Sequence, residues 1–510
     1  MDRTVGIMSA TLVALLVLAF AVTAPAAQKL SDHEVVLDDQ GRLQPWTPYD
    51  HVIRGSVEYI KNCPTEKTVH GDDPWYLITS ALNKDGTFNR NQNNQAGNVY
   101  YAVDMLARYY AYSGDRDAFK SVQLLVDRVL QYHTPADWDW ACVPRTQDNT
   151  PDGVYDDETS EPDKMAMAGD GYVRFYKLTG EKKYLDAALG IAKTLAAKVT
   201  PGDAEHPPLP FRINLKTGRV LDDYTANMIP YVMFFDTLIG LGLGGPDDLA
   251  AKRDLIWKWI LDYPIKNNHW SGYYEDVGFH HDNLNQQIPM ETARCMLRHP
   301  DRVPDLNERV PALIEWVRNR FGLTRRFGAT SICEQDNCFK EMSSHTARYA
   351  SVVALWYGVS HDPRVREEAR AAFALSTYSA FSRYSQGDRA LNFVGQGFIN
   401  PWFSDSYFDY LPHFFDGMTA LPDVAPADQD HVLGCTGTIT KIEYAANRIA
   451  YETFEPTGDD ILRITFRPRV LADGRPLDPA AWQYGEFNGA SGVLRIHRDN
   501  AKTIVIESAV

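Results

Sequence analysis

A repeat of about 61 residues is the feature of this 510-residue chain that most constrains its fold. Each repeat begins with polar residues and continues as an apolar helical run. The starts recur at spacings of 61, 61, 60 and 61 residues, at Asp163, Tyr224, Asn285, His345 and Ser406, and a similar run begins near Asn94. Each run is apolar around most of its circumference, which is typical of a buried helix. A fixed period of this length indicates a supersecondary unit stacked several times over.

Each apolar run is followed by a turn and then by a more amphipathic helix pattern. Examples of the second pattern are KKYLDAALGIAKTLAAKV and LAAKRDLIWKWILDY, and YDHVIRGSVEYIKN precedes the first repeat. The count is six apolar helices alternating with about six amphipathic ones. An open solenoid of helical hairpins is one solution. Closure into a ring is favoured, because it covers both flanks of every apolar helix. The expected fold class is mainly α, an (α/α)6-type toroid with a small C-terminal antiparallel β-domain.

Three further segments are distinguished by composition. Residues 1–26 carry Arg3, an apolar core and an Ala24-Pro25-Ala26 exit, the pattern of a secretory signal peptide. An uncleaved anchor is the alternative. We therefore expect a secreted or periplasmic protein, with the toroid at 27–422 and a linker at 423–436. Residues 437–510 alternate in the manner of strands. Their inward-facing positions are predicted to include Ile439, Ile442, Ile449, Leu462 and Ile464.

The net charge limits the classes of molecule that this protein can bind, and the cysteine content limits its disulfides. The net charge of −16 argues against nucleic acid or an anionic membrane, which both select basic surfaces. An acidic glycan is not excluded, because a few cations can dominate the potential inside a cleft. Six cysteines are few for this length and imply no disulfide scaffold, although Cys333 and Cys338 could pair locally. No ligand spacing suggests a metal site.

This organisation resembles the (α/α)-toroid carbohydrate-active enzymes, which include six-hairpin glycosidases and toroid polysaccharide lyases. The resemblance covers roughly residues 45–422 and rests on repeat length, helix alternation, the export signal and the trailing β-domain. No signature motif contributes to it. It implies a polysaccharide or oligosaccharide substrate, bound where the inner helices begin, and no metal or organic cofactor.

The preferred chemistry is β-elimination from a uronic-acid-containing glycan. It needs a group that neutralises the carboxylate, a base for the C5 proton and an acid for the leaving oxygen. Toroid lyases are similar in drawing these groups from Asn, His, Tyr and Arg. The matching candidates here are Asn285, His345, Tyr407 and Arg348, at the starts of three successive inner helices. Tyr273 or Tyr274 could replace the acid, and His280 or His281 the base.

Two alternatives remain. A glycoside hydrolase needs a pair of carboxylates, for which Glu161, Asp163 and Glu275 are candidates. The lyase is preferred because a guanidinium beside a general acid lowers its pKa, the wrong direction for protonating a glycosidic oxygen. A non-catalytic glycan-binding protein would use only the aromatic residues.

Aromatic loops precede several inner helices and suggest platforms for sugar rings. The substrate-binding candidates are Trp138, Trp140, Trp270, Tyr273, Tyr274, Asn94 and Trp402. Ordinary loop packing is the alternative for the aromatic residues. For asparagines and other polar residues at helix starts, the alternative is capping of backbone N–H groups.

Overall fold

A computed structural model of the chain describes residues 29–30, 33–79, 94–146, 158–274, 282–324, 327–378 and 407–509. The predicted signal peptide lies outside these ranges. The helices α1–α14 are Tyr49–Lys61, Trp75–Ile78, Gln95–Ser113, Ala118–Leu130, Pro162–Thr179, Lys182–Lys198, Ile229–Gly240, Pro246–Asp262, Pro264–Asn267, Gln287–Arg298, Leu306–Phe321, Ser343–Ser360, Pro363–Thr377 and Tyr410–Ala420. Within the described ranges, no helix is both long and apolar enough to cross a membrane.

The helices form a closed ring. Helices α3, α5, α7, α10, α12 and α14 pack side by side in that order, and α14 packs back against α3. We call these the inner helices. Each packs mainly against one outer helix, in the pairs α3–α4, α5–α6, α7–α8, α10–α11, α12–α13 and α14–α1. The sequence-based prediction of a closed (α/α)6 toroid is therefore confirmed.

Glycines allow α5 to pack closely between its two neighbours. A Cβ atom at Gly169 would lie 2.5 Å from the ring of Phe234 on α7, and one at Gly171 would lie 2.9 Å from Val99 on α3. Both distances are too short for a side chain, so these two positions set the close approach of three inner helices. Gly180 ends α5 in the left-handed conformation, at φ 76°, which glycine adopts without steric cost.

Inner helix α7 begins five residues after its repeat position. The apolar run was expected to start at Tyr224, but α7 starts at Ile229, and residues Val220–Asp222 form a strand instead. Pro230 occupies the first turn of α7. Proline fits there because its missing N–H would have no partner within the helix. The repeat period therefore located this helix, but its local sequence set the boundary.

The segments that connect the helices of the ring contain short antiparallel strands. Strands β1–β9 are Lys29–Leu30, His33–Glu34, Thr65–Thr68, Gly71–Pro74, Thr159–Ser160, Arg212–Asn214, Val220–Asp222, Gly322–Thr324 and Thr330–Ile332. β5, β6 and β7 form a three-stranded sheet. In the sequence, β5 lies directly before α5, and β7 is the last strand before α7.

The C-terminal domain consists of two antiparallel sheets. Strands β10–β18 are His431–Cys435, Ile439–Ala445, Arg448–Thr453, Gly458–Arg463, Pro468–Ala472, Arg475–Pro476, Trp482–Phe487, Ala490–Arg498 and Thr503–Ser508. One sheet has the order β10-β13-β17-β16 and the other β11-β12-β18-β14-β15. The five predicted inward positions are buried in one shared core, at Ile439, Ile442, Ile449, Leu462 and Ile464, as expected.

The first strand of this domain lies inside the segment expected to be a linker. β10 begins at His431 and pairs with β13, so the sheet starts before the predicted boundary at 437. The reason is packing: the imidazole Nδ1 of His431 lies 2.8 Å from the backbone oxygen of Tyr112, near the end of α3. Lys177, near the end of α5, pairs with Glu455 at 2.7 Å. The β-domain therefore contacts the end of the ring opposite the starts of the inner helices.

Candidate active site

Two tyrosines and a glutamine meet where the inner helices begin, an end of the ring that we call the mouth. Tyr101 lies on α3, Tyr273 in the loop before α10, and Gln287 is the first residue of α10. The phenolic oxygens of Tyr101 and Tyr273 are 2.9 Å apart. The amide Nε2 of Gln287 donates to both of them, at 2.7 Å from the Tyr273 oxygen. We call Tyr101 and Tyr273 the phenol pair.

The hydrogen count of this group leaves one proton available. Gln287 uses both hydrogens of its amide nitrogen on the two phenolic oxygens. The pair has two hydroxyl hydrogens, and the bond between Tyr101 and Tyr273 uses one. The other has no acceptor among the described residues. The phenol pair can therefore donate one proton to a ligand without breaking a bond.

Two cations lie next to the phenol pair. The Nζ atom of Lys164 is 3.7 Å from the ring centroid of Tyr273 and donates to that residue's backbone oxygen at 2.9 Å. Burial raises the pKa of Tyr273 and of Tyr101 well above the usual value, while the positive charge of Arg348 opposes this shift for both. Both phenols are therefore protonated at neutral pH, and a neighbouring cation would stabilise either phenolate if it formed.

Arg348 is the centre of a second buried group. Its Nε donates to Glu291 on α10 at 3.0 Å, one Nη donates to Asp409 beside α14, and the other donates to Nδ1 of His345 at 2.8 Å. Arg348 is 0% exposed. Burial alone would raise the pKa of Glu291, but the guanidiniums of Arg294 and Arg348 lower it. The pKa of Asp409 is lowered in the same way by Arg348 and His413. Both carboxylates are therefore ionised.

The predicted proximity of His345 and Arg348 on one helix face is confirmed, and it defines the state of the imidazole. A guanidinium can only donate, so Nδ1 of His345 must accept and the ring proton is assigned to Nε2. Burial and Arg348 lower the pKa of His345 well below its usual value. Nε2 is buried and has no hydrogen-bond partner among the residues that the structure describes. In this arrangement His345 is a neutral donor, and its one basic lone pair is already occupied.

Three charged or titratable residues lie close enough to His345 to shift its pKa. They are Arg348, Asp409 and His413. Tyr407 is fully buried, with its ring stacked on Tyr59 of the outer helix α1 at 4.9 Å.

An alternating series of charges continues down the ring axis. Each residue of the series forms an ion pair with the next. In order, the residues are Asp170, Arg174, Asp104, Arg108, Asp416, Arg294 and Glu291. The nitrogen–oxygen distance is 2.8 Å for Asp170–Arg174 and 2.6 Å for Arg108–Asp416. We call this series the axial ion-pair chain. It joins α3, α5, α10 and α14 and fills the ring interior below the phenol pair.

The carboxylates considered for hydrolysis lie in a separate buried group. Glu161 is 3.4 Å from Nε of Arg212 and 3.6 Å from Nζ of Lys164. Asp163 accepts from Lys164 at 3.2 Å and from the amide of Asn227 at 2.7 Å. Both carboxylates are therefore held by cations or amides. The third candidate, Glu275, lies outside the described residues.

The asparagines at the mouth act as helix caps. The side chain of Asn94 accepts from the backbone N–H of Gly97 at 3.2 Å. Asn285 accepts from Ile288 N–H at 3.1 Å and donates to the backbone oxygen of Trp270 at 3.0 Å. Both side chains thus satisfy backbone groups at the starts of α3 and α10. Capping accounts for these positions, and a role of either asparagine in substrate binding or catalysis stays a prediction.

The aromatic candidates separate into core and mouth residues. Trp140 and Trp270 are 2% and 0% exposed and belong to the main core, so neither presents a ring face to a ligand. Their polar neighbours in sequence had suggested otherwise. Trp138 is half-buried, with the guanidinium of Arg145 5.7 Å from its ring. Tyr274 is also half-buried and forms an edge-to-face contact with Tyr273. Trp402 lies outside the described residues.

Sequence reasoning missed the residues that organise this interior. Tyr101, Gln287 and Glu291 were not singled out, and neither was the axial ion-pair chain. A signal was present: DMLARYYAYSGD at 104–115 and DGYVRFYKLTGE at 170–181 share an Asp, an Arg four residues later and a terminal turn. Charges at fixed positions on helices that are otherwise buried indicate ion pairs inside the ring. Within the described ranges, no cluster of three or more His, Cys, Asp or Glu residues could hold a metal ion.

Comparisons with known proteins give structural matches only. No family model matches the chain, and no curated protein matches it in sequence. Cellobiose 2-epimerase from Spirochaeta thermophila matches with a TM-score of 0.52 at 9% identity, over 74% of this chain and 96% of that one. A D-mannose isomerase matches with a TM-score of 0.51 at 12% identity, over 74% and 96%. Cellobiose 2-epimerase from Bacillus thermoamylovorans matches at 0.50 and 8%, over 72% and 97%. The chain therefore has the same (α/α)6 toroid fold as these proteins.

Proposed function

We propose that this protein is an exported carbohydrate-active enzyme that cleaves a uronic-acid-containing glycan by β-elimination. The observation that carries the proposal is the phenol pair, with one unused proton, beside buried cations and an ionised carboxylate. Elimination next to a carboxylate needs a proton acceptor, a proton donor and positive charge near the forming enolate. All three lie together at the mouth of the ring.

The roles follow from the protonation states. Glu291 is ionised and is the proton acceptor for C5–H. The phenol pair donates its free proton to the leaving glycosidic oxygen as the C4–O bond breaks and the C4=C5 bond forms. Arg348 and Lys164 supply positive potential for the charge that develops on the uronate. The Nε2–H of His345 can donate to a carboxylate oxygen of the uronate. This role as a donor replaces the role as a base that the sequence predicted for His345.

The same protonation states argue against four buried acids of the ring interior as the acid of a carboxylate-pair hydrolase. A glycosidase needs one carboxylic acid that keeps its proton, which requires a raised pKa. Glu291, Asp409, Asp104 and Asp416 all have lowered pKa values, because neighbouring cations outweigh burial. These buried acids are therefore poor proton donors, whereas the phenols are protonated.

Turnover of a glycan panel tests the proposal. The purified protein is incubated with uronate-containing and neutral polysaccharides, while ultraviolet absorbance of a conjugated C4=C5 double bond and new reducing ends are followed together. Elimination produces both signals in step. New reducing ends without the absorbance would indicate hydrolysis, and absence of both with retained glycan binding would indicate a binding protein. Either result would refute the lyase proposal.

A second candidate is a sugar epimerase or isomerase. It is favoured by the structural matches to a cellobiose 2-epimerase and a D-mannose isomerase. These reactions also move a proton at a carbon next to a polarised group, so a phenol pair and an ionised carboxylate could serve them. The panel therefore includes cellobiose and mannose. Their conversion without any chain cleavage would select this candidate.

A further inference from the structure

The loop segment that carries Tyr273 has hydrogen-bonded backbone oxygens at five consecutive residues, 270–274. The structure describes all five, and none belongs to a helix or a strand. Helix and sheet bonds therefore do not set their positions, and each oxygen accepts from another part of the ring. In chain order, the donors are the backbone and side chain of Asn285, the backbone of Ala226, the hydroxyl of Thr225, Nζ of Lys164 and Nη2 of Arg212. We call residues 270–274 the anchored loop.

Close packing fixes the middle of the anchored loop. Gly272 has a φ of 75°, in the left-handed region that glycine adopts without steric cost. A Cβ atom at this position would lie 2.5 Å from the backbone oxygen of Tyr224, so the loop lies directly against the segment before α7. A shift of the anchored loop would move Tyr273 relative to Tyr101, because Tyr101 lies on a different element, α3.

Two buried cations hold the last two oxygens of the anchored loop. Lys164, in the first turn of α5, is 2.9 Å from the oxygen of Tyr273, and Arg212, on β6, is 2.9 Å from the oxygen of Tyr274. Both cations are 0% exposed. Neutral groups donate to the other three oxygens, whereas bonds from a charged donor are roughly twice as strong. The backbone of the two tyrosines is therefore the most strongly held part of the loop.

Glu161 joins the two cations into one group. One of its carboxylate oxygens is 3.4 Å from Nε of Arg212, and the other is 3.6 Å from Nζ of Lys164. Nη1 of Arg212 is 3.4 Å from Asp222 on β7. Three nitrogens of the guanidinium thus contact three acceptors, and the bond to the Tyr274 oxygen is the shortest of these three contacts. A single ammonium nitrogen cannot reproduce this arrangement, so lysine is not an equivalent of arginine here.

We propose that Arg212 is a positioning residue for the phenol pair. Through the backbone oxygen of Tyr274 it holds the end of the anchored loop, and the phenolic oxygen of Tyr273 thereby stays within hydrogen-bond distance of Tyr101. Glu161 is the counter-ion that holds the guanidinium in place. The inference rests on the proposed function, because this position affects turnover only if the phenol pair donates the proton.

Kinetics of Arg212→Lys test the proposal with the positive charge retained. On a glycan that the wild type cleaves, kcat should fall by about 10²-fold, since a displacement of about 1 Å at a reacting group has an effect of this size. KM should change little, because Arg212 does not contact the substrate. Arg212→Gln, which keeps a donor without the charge, takes its place if Arg212→Lys does not fold.

Arg498→Lys is the matched control. Arg498 is also 0% exposed, pairs with Asp460 at 2.8 Å and donates to the backbone oxygen of Glu455 at 2.6 Å, but it lies in the β-domain. Loss of this guanidinium should lower the thermal midpoint as much as Arg212→Lys does. It should leave kcat unchanged, because the β-domain lies at the opposite end of the ring from the mouth.

A spectroscopic measurement tests the position of Tyr273 without requiring turnover. Wild type and variants are produced with a fluorinated tyrosine, and the fluorine resonance of Tyr273 is identified by its absence in Tyr273→Phe. We expect this resonance to shift in Arg212→Lys and to keep its position in Arg498→Lys.

The outcomes separate this proposal from the lyase chemistry. An unshifted Tyr273 resonance in Arg212→Lys would overturn the positioning role. A normal kcat in that variant, or an equal loss of kcat in Arg498→Lys, would also overturn it. If the wild type cleaves no glycan, a shift of the Tyr273 resonance that is confined to Arg212→Lys would retain the positioning of the phenol pair and refute only the elimination reaction.

Discussion

The adjacent tyrosines 273 and 274 allow a sharp test of the phenol pair. Tyr273→Phe removes one hydroxyl group while keeping the aromatic ring and its burial. The lost contacts are the 2.9 Å bond with the Tyr101 hydroxyl and the 2.7 Å bond from Gln287. The remaining Tyr101 hydroxyl keeps its bond from Gln287 but loses its partner. The unused proton is no longer held by a pair.

The expected magnitudes differ strongly between stability and activity. Each lost hydrogen bond costs about 1 kcal/mol, so the free energy of unfolding should fall by about 2 kcal/mol. For a ring of this size, the thermal midpoint changes by about 1 °C per kcal/mol, so it should fall by about 2 °C. Tyr101 keeps its hydroxyl proton in this variant, so only the double variant Tyr101→Phe/Tyr273→Phe removes both phenolic protons, and it should lower kcat by about 10²–10⁴-fold. Substrate binding should change little, because the ring remains.

Tyr274→Phe is the matched control. Its hydroxyl is 3.5 Å from the amide nitrogen of Gln286, at the limit of a hydrogen bond, and its side chain is half-buried. Initial rates of double-bond formation are measured for the single and double variants on the same glycan, together with thermal midpoints. If Tyr101→Phe/Tyr273→Phe retains near-normal kcat, or if Tyr274→Phe loses as much activity, the phenol pair is not the proton donor.

Three further predictions concern pH, ion pairs and metals. Burial and Arg348 lower the pKa of His345 well below 6.5, and cations keep Glu291 ionised. We therefore expect kcat/KM to be constant from about pH 5 to pH 9. A fall in kcat/KM on the acid side near pH 6.5 would indicate a histidine base instead. Asp416→Asn should cost about 3–5 kcal/mol in urea unfolding at pH 7, because three arginines lose a buried partner. The folded-state pKa of Asp416 is lowered, so its stabilisation is present above the unfolded pKa of about 3.8 and is lost as pH falls below that value. The difference in unfolding free energy between wild type and Asp416→Asn should therefore shrink at pH 3. A cost at pH 7 no larger than that of the exposed control Asp139→Asn would contradict this prediction. Treatment with EDTA should leave activity unchanged, because the described residues include no cluster able to hold a metal, and a loss restored by added metal would refute this.

The fold was predictable because helix burial repeats along the sequence. The 61-residue period located the inner helices, and their all-round apolar character required neighbours on both sides, which a ring provides. The alternating residues after 437 likewise predicted the inward face of the β-domain, including Ile449 and Leu462. Boundaries were less predictable. His431 joins the sheet because it packs against Tyr112, a contact between residues more than three hundred positions apart.

Only part of the candidate site could be predicted from the sequence. The sequence by itself determined that polar residues cluster at the starts of buried helices and that His345 and Arg348 share a helix face. It could not distinguish caps from functional groups, since Asn94 and Asn285 serve their own helices. It also could not place Tyr101 beside Tyr273, because helix geometry relates residues three or four apart, not residues on different helices. Only ring closure brings α3, α10 and α12 together. That closure decides which lone pair of His345 is occupied, which carboxylates are ionised and which phenolic proton is free, because each depends on charges and burial supplied by distant parts of the chain.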